Sequence, residues 1–162
     1  MRSQEAWRAA LDRAKGYAPV FELVKESVEQ VLGRRRAGLS LALQEMPGAV
    51  GAYHALGSNF LVLNKRLLDA FEVLRKPKRE RNALLYSLLL HEYLHSLGLP
   101  DEATVRHLVY KVSRACFGEG HSATQYGASG PWAAHPELTQ LPGGEGFQIV
   151  PGLDDEARRY IA

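Results

Sequence analysis

Cysteine is almost missing: Cys116 is the single one among 162 residues. That excludes an intramolecular disulfide framework and fits a reducing compartment. No apolar run reaches the ~18 residues that a membrane span needs. The opening stretch, Met1-Arg2-Ser3-Gln4-Glu5-Ala6-Trp7, lacks the apolar core of a signal peptide. The expectation is a cytoplasmic protein with no membrane partner. There is no excess of one charge sign either. Lys plus Arg number 20 and Asp plus Glu 18, a net +2, too small to argue for nucleic acid. What is present is an average apolar content, 46%, which excludes the disordered class. A chain of this length makes about one domain and buries roughly 70% of its unfolded surface. Nothing here fixes the oligomeric state.

Read along the chain, residues 3–32 carry helical apolar spacing in two stretches, Trp7 to Ala14 and Phe21 to Leu32, interrupted between Gly16 and Pro19. Ser3 suits an N-cap and Gly33 a helix end. The run Arg34-Arg35-Arg36 reads first as a solvated helix end complementing the dipole, and second as an anion site. Residues 38–44 alternate like a half-buried strand, and short strands are expected over 49–54 and 60–63. Asn64 caps the next helix. After the basic break at 76–81 comes a helix to about Leu97 that is apolar nearly all round, hence central and buried. Another helix is expected from near Asp101 to Gly118. From there the composition turns to Gly, Pro and Ser. Residues 118–162 are expected as an irregular segment packed on the 1–117 domain, with a hairpin near 143–150 and a short helix over 154–160. The fold class is α+β: a small twisted sheet packed on a central helix and flanking helices.

The central helix bears His91-Glu92-Tyr93-Leu94-His95. Residues four apart share a helix face, so both imidazoles can address one metal ion while Glu92 reaches a water in the same site. From composition alone, HExxH is expected roughly 0.02 times in such a chain. Adding Gly98 and Asp101 at their spacings lowers this to about 1 in 10⁴. Gly98 can stop the helix in a left-handed turn, and Pro100 forbids simple continuation. Asp101 is thereby the expected third ligand, folding back beneath the ion. Its competing role is as N-cap of the next helix. Glu102 is the alternative third ligand, or a group orienting a histidine from behind.

The run HEYLHSLGLPD resembles the extended motif HExxHxxGxx(H/D) of the metzincins, and more closely the small prokaryotic zincin-like metallopeptidases with HExxHxxGxxD and a minimal fold. The motif likeness covers 91–101 and the architectural likeness about 20–117. Met1 and Met46 both precede the motif, so the methionine turn of metzincins has no counterpart. The resemblance implies a minimal zincin fold, a Zn²⁺ cofactor, and hydrolysis of peptide bonds in a peptide or protein substrate. Zinc would polarise the carbonyl and acidify its water, with Glu92 as general base. An extended substrate would add to a free strand edge, at 51–53 or 60–63. His121 and Tyr126 are the candidate oxyanion donors.

Plainer readings stand beside these. His91 and His95 could be hydrogen-bonded core residues, although burying three polar groups without a ligand costs desolvation. Cys116 reads as core, Tyr93 and Tyr110 as packing, His107 as surface or behind a ligand, and His54 and His135 as solvent-facing. The alternative functions are a zinc-dependent hydrolase acting on something other than peptides, and a zinc-stabilised interaction module.

Overall fold

The structure is a computed structural model, which describes residues 1–54 and 57–154. Two helices come first, α1 (Gln4–Arg13) and α2 (Tyr17–Leu32), then strands β1 (Ser40–Gln44), β2 (Ala52–His54) and β3 (Phe60–Asn64). Helices α3 (Lys65–Val73), α4 (Lys78–Ser96), α5 (Glu102–Phe117) and α6 (Ser122–Ser129) follow. A 3₁₀ turn over Pro136–Gln140 and strand β4 (Phe147–Val150) complete the described chain. The architecture is α+β, a mixed four-stranded sheet in the order β2-β3-β1-β4 with helices on one face. β1 runs parallel to β3, while β2 pairs antiparallel with β3 and β4 antiparallel with β1. β2 is therefore an outer strand with one edge unpaired among the described residues. No helix among them is long and apolar enough to cross a membrane.

Side chains along β1 and β3 point alternately to the two faces of the sheet. Leu41, Leu43, Leu61 and Leu63 point inward and join the main core, while Ala42 and Val62 face the other side with Met46. α4 is the centre of that core. Leu84, Leu85, Leu89, Leu90 and Leu94 are fully buried, as are Tyr86 and Tyr93, and burying such a side chain stabilises by about 1.5–3 kcal/mol. The all-round apolar surface expected of this helix follows from its neighbours, which include α2, α3, α5, α6, β2 and β3.

Buried amides tie the layers together. Asn82 donates from Nδ2 to Leu11 O at 2.9 Å and Ala14 O at 3.0 Å, closing the end of α1 against α4. Asn64, fully buried, caps α3 through Arg66 N, accepts from Met46 N, and donates to Pro47 O and Val50 O. It thus fixes the loop that delivers β2.

The segment after 118 departs from expectation. In place of an irregular stretch with a local hairpin, it forms α6, packed against α4 and α5, and β4, which pairs with β1. α6 hides only Ala123, Thr124 and Tyr126, too narrow a stripe to read as a helix from periodicity. Tertiary packing, rather than propensity, holds a helix this short. β4 finds its partner in a distant strand, which local turn signals cannot reveal. The expected helix over 154–160 lies, beyond Asp154, outside the described residues.

Candidate metal centre and cleft

Gly98 turns the chain at the end of α4 with φ +94°, a left-handed conformation that glycine adopts freely. The turn brings the start of α5 back alongside His91 and His95. Asp101 does not fold beneath the two rings. Its Oδ2 accepts from Thr104 N at 2.9 Å and from the Thr104 hydroxyl, as the N-cap of α5. The Thr104 hydroxyl and backbone hydrogen bonds hold its carboxyl below the ordinary range. The expected third ligand is thus committed to capping, and the residue after it reaches the histidines instead. Glu102 Oε1 lies 2.5 Å from His91 Nε2, and its Oε2 lies 2.9 Å from His95 Nε2. The ligand atoms of His91, His95 and Glu102 all lie within 4.8 Å of one another.

This donor set fits a divalent cation. Zinc bonds of ~2.0–2.2 Å to nitrogen and oxygen, in tetrahedral arrangement, place ligand atoms ~3.4 Å apart, within small side-chain rotations of what is seen. The second nitrogen of His95 strengthens the case. Its Nδ1 lies 2.7 Å from Leu99 O and so carries the proton, which turns the Nε2 lone pair outward. That nitrogen stands 2.9 Å from Glu102 Oε2, so one cation could be shared between the two atoms. Burial holds His91 towards its neutral form, only partly opposed by Glu102, and neutral imidazole is the ligating state. Burial works against the charge on Glu102, but attraction to His91 and His95 outweighs it, and the carboxyl titrates below its usual range.

Glu92 lines the same cavity and is 4% exposed. Burial pushes its carboxyl up to about 7, with attraction to His95 opposing and repulsion from Glu102 reinforcing. A carboxylate tuned to that range can accept and return a proton near neutrality.

The arginine run has a role that the sequence does not suggest. Arg34 donates to Leu97 O at 2.7 Å, and Arg36 donates to Ser96 O and, at 2.9 Å, to Asn59 Oδ1. Two guanidinium groups thus satisfy carbonyls at the C-terminus of α4, one turn before the Leu99 carbonyl that orients His95. Arg35 pairs with Glu22 and Glu29. The dipole complemented is that of α4 rather than of α2.

No protein-family model, curated protein or solved structure matches this chain. The site is therefore read from its own geometry.

The two candidate oxyanion donors are otherwise engaged. His121 is the N-cap of α6, its Nδ1 accepting from Ala123 N at 3.1 Å, and its ring stacks on Phe117. Tyr126 does line the cleft, but its hydroxyl donates to Glu80 Oε2 at 2.6 Å. Cys116 is buried in the core, where desolvation drives its thiol up to about 12. Tyr93 is buried, with its hydroxyl accepting from Arg36 N at 2.8 Å, while His107 is exposed. His135, expected to face solvent, packs edge-on to Phe71, and His54 lines the cleft rather than standing free of it.

The cleft extends to both sides of the His91–His95–Glu102 group. A larger compartment of about 560 Å³ lies between the loop before β2, α4, α5 and the end of α6. A smaller one of about 300 Å³ runs along β2 to His95 and Pro100. Trp132 forms the far wall of the larger compartment, held by a 2.7 Å hydrogen bond from its Nε1 to Gly48 O. A Cβ at Gly130 would stand 2.4 Å from the Trp132 ring, so the wall requires glycine there. Sequence reasoning missed Trp132 and Arg106 as cleft residues. Neither belongs to a motif, and only the tertiary path of α5 and α6 brings them in.

Proposed function

We propose that this chain is a zinc-dependent peptidase of minimal zincin-like fold, with His91, His95 and Glu102 as the metal ligands and Glu92 as the general base. One observation carries the reading: two imidazole nitrogens and a carboxylate converge beside a buried glutamate of raised pKa, in a cleft bordered by the outer strand β2. Three protein donors are the number typical of a catalytic zinc, whereas structural sites close with four and often use cysteine. Among the described residues the group has three members, and the lone cysteine is buried in the core.

A zinc ion held there supplies Lewis-acid polarisation of an amide carbonyl and a lowered pKa for water in the site. The protein's own residues do the rest. The edge of β2 offers backbone N–H and C=O groups to an extended peptide, and Ala52, Tyr53 and His54 line the cleft beside His91 and His95. Pairing there orients the peptide across the face of Glu92. Glu92 takes a proton from the attacking water and delivers it to the departing amine nitrogen, two transfers for which a pKa near neutrality suits it.

The test is metal analysis together with peptide hydrolysis. The expected result is one zinc per chain, cleavage abolished by chelation and restored by zinc, and a fall of at least 10²-fold in Glu92→Gln with the metal retained. Zinc-loaded, folded protein that cuts no member of a broad peptide library would contradict it.

A further inference from the structure

We infer that the larger compartment selects peptides that present a carboxylate within about two residues of the scissile bond, with Arg106 as the residue that recognises it. This rests on the peptidase reading above and adds a substrate class to it. The two compartments differ in charge. Beyond the metal group and Glu92 the smaller is lined by Ala52, Tyr53, His54 and Pro100, with no lysine or arginine among the described residues. The larger has apolar walls from Leu88, Val109 and Trp132, and among the described residues Arg106 is its only cationic side chain. Among the described residues Glu92 and Glu102 are its only carboxylates, and the proposed function assigns both to chemistry or metal.

Arg106 stands one helical turn beyond Glu102 on α5. Its single ion-pair contact among the described residues is a loose one, Nε to Glu102 Oε1 at 3.9 Å, and its side chain is 70% exposed. Once the Glu102 carboxylate serves a cation, most of the five N–H donors of the guanidinium are left to a ligand, and their fork matches a carboxylate in two-point contact. The guanidinium Nε stands 3.9 Å from a ligand oxygen of the metal group, and an extended peptide advances about 3.3 Å per residue. That separation, extended by the reach of an exposed arginine side chain, spans one to two substrate residues. The apolar walls take the hydrocarbon part of the same stretch. Two sources present this chemistry, the side chain of Asp or Glu and the free carboxyl at the end of a peptide.

The experiment uses zinc-loaded protein and matched fluorogenic peptides. One series carries Glu, Gln or Lys at each of the two positions on either side of the bond. A second ends one or two residues after the bond as free acid or as amide. A kcat/KM advantage of roughly five- to tenfold for the carboxylate member is expected, between the worth of an exposed ion pair and of a charge-assisted hydrogen bond. The series that shows it names the source. Arg106→Gln abolishes the advantage, Arg106→Lys keeps part of it, and Arg106→Glu reverses it in favour of lysine. Equal rates across both series, or an advantage that Arg106→Gln leaves intact, would overturn the inference while sparing the peptidase reading. Calorimetric binding of the same peptides to zinc-loaded Glu92→Gln protein separates the two claims further. Carboxylate-dependent binding lost in the Glu92→Gln/Arg106→Gln double variant supports the anion site even if no bond is ever cut. Binding indifferent to charge, or carboxylate binding that survives loss of Arg106, defeats it.

Discussion

The two helices that supply the candidate metal ligands are built to opposite specifications. α4 presents His91, Glu92 and His95 from the last turns of a helix packed in the core, with its last carbonyls satisfied by Arg34 and Arg36 and the His95 ring fixed by Leu99 O. α5 presents Glu102 from an exposed first turn, secured mainly by the Asp101 cap. A half-exposed carboxylate can rotate at little cost, while the histidines cannot move without disturbing packed leucines. The contrast suggests a division of labour in which rigid imidazoles set where an ion sits and an adjustable carboxylate accommodates changes in coordination. Preorganisation of this kind is what a metal site needs from its surroundings.

The sharpest way to break the comparison is to remove each acidic side chain of the α5 turn separately. Glu102→Ala should weaken zinc binding by more than about a hundredfold while the apo protein melts close to wild type, because the side chain is half in solvent. Asp101→Ala should do the reverse in kind. The thermal midpoint falls modestly through loss of the cap, and zinc affinity drops by less than about tenfold. Chelator competition and thermal melts on the two variants read both quantities. The opposite ranking of zinc affinities would return Asp101 to the role of ligand.

On the α4 side the comparison is sharpened at Arg36. Arg36→Gln removes a guanidinium from Ser96 O and Asn59. It is expected to weaken zinc binding roughly three- to tenfold by loosening the turn that orients His95. Arg36→Lys should recover part of the loss, since it can reach one carbonyl but not both partners. Zinc affinity unchanged in Arg36→Gln would show that α4 holds its end without the arginines.

The smallest effect concerns the wall of the larger compartment. Burial favours the protonated form of Glu80, but hydrogen bonds from Ser122 at 2.6 Å and Tyr126 at 2.6 Å outweigh it and lower its carboxyl below the usual value. A depressed folded-state pKa contributes stability above the unfolded carboxylate pKa and loses it as pH falls through the folded value. The α4–α6 seam should therefore loosen on acidification below about pH 4.5. Glu80→Gln should show a flatter dependence of melting temperature on pH over that range than wild type. Identical slopes would remove Glu80 from the latch.

How far the sequence could be read follows the same division. The α4 motif was legible because its chemistry is local: His91, Glu92 and His95 share one face by helix geometry, whatever the rest of the chain does. Gly98 was legible as a turn for the same reason. Asp101 against Glu102 was not, because both an N-cap and a ligand are natural roles for an acidic residue at a helix start. Only the angle at which α5 leaves the turn decides between them. Arg34 and Arg36 were read as serving their own helix because sequence neighbours are visible and spatial ones are not. α6 was missed, and β4 was expected only within a local hairpin, because each is stabilised by partners far away in the chain, and Trp132 and Arg106 enter the cleft only through that packing. Two strands of the sheet announced themselves, β1 by alternation and β3 as a short apolar run between turn signals, whereas β4, with Phe147 and Ile149 exposed, did not.

The most direct test of the account is the crystal structure of the zinc-soaked protein, with anomalous scattering locating the metal. The expected result is one zinc bonded to Nε2 of His91, Nε2 of His95 and a carboxylate oxygen of Glu102 at ~2.0–2.2 Å, with Asp101 still capping Thr104. An ion bound through Asp101 in place of Glu102 would contradict the assigned ligand set, and no zinc between the two rings would contradict the metal centre itself.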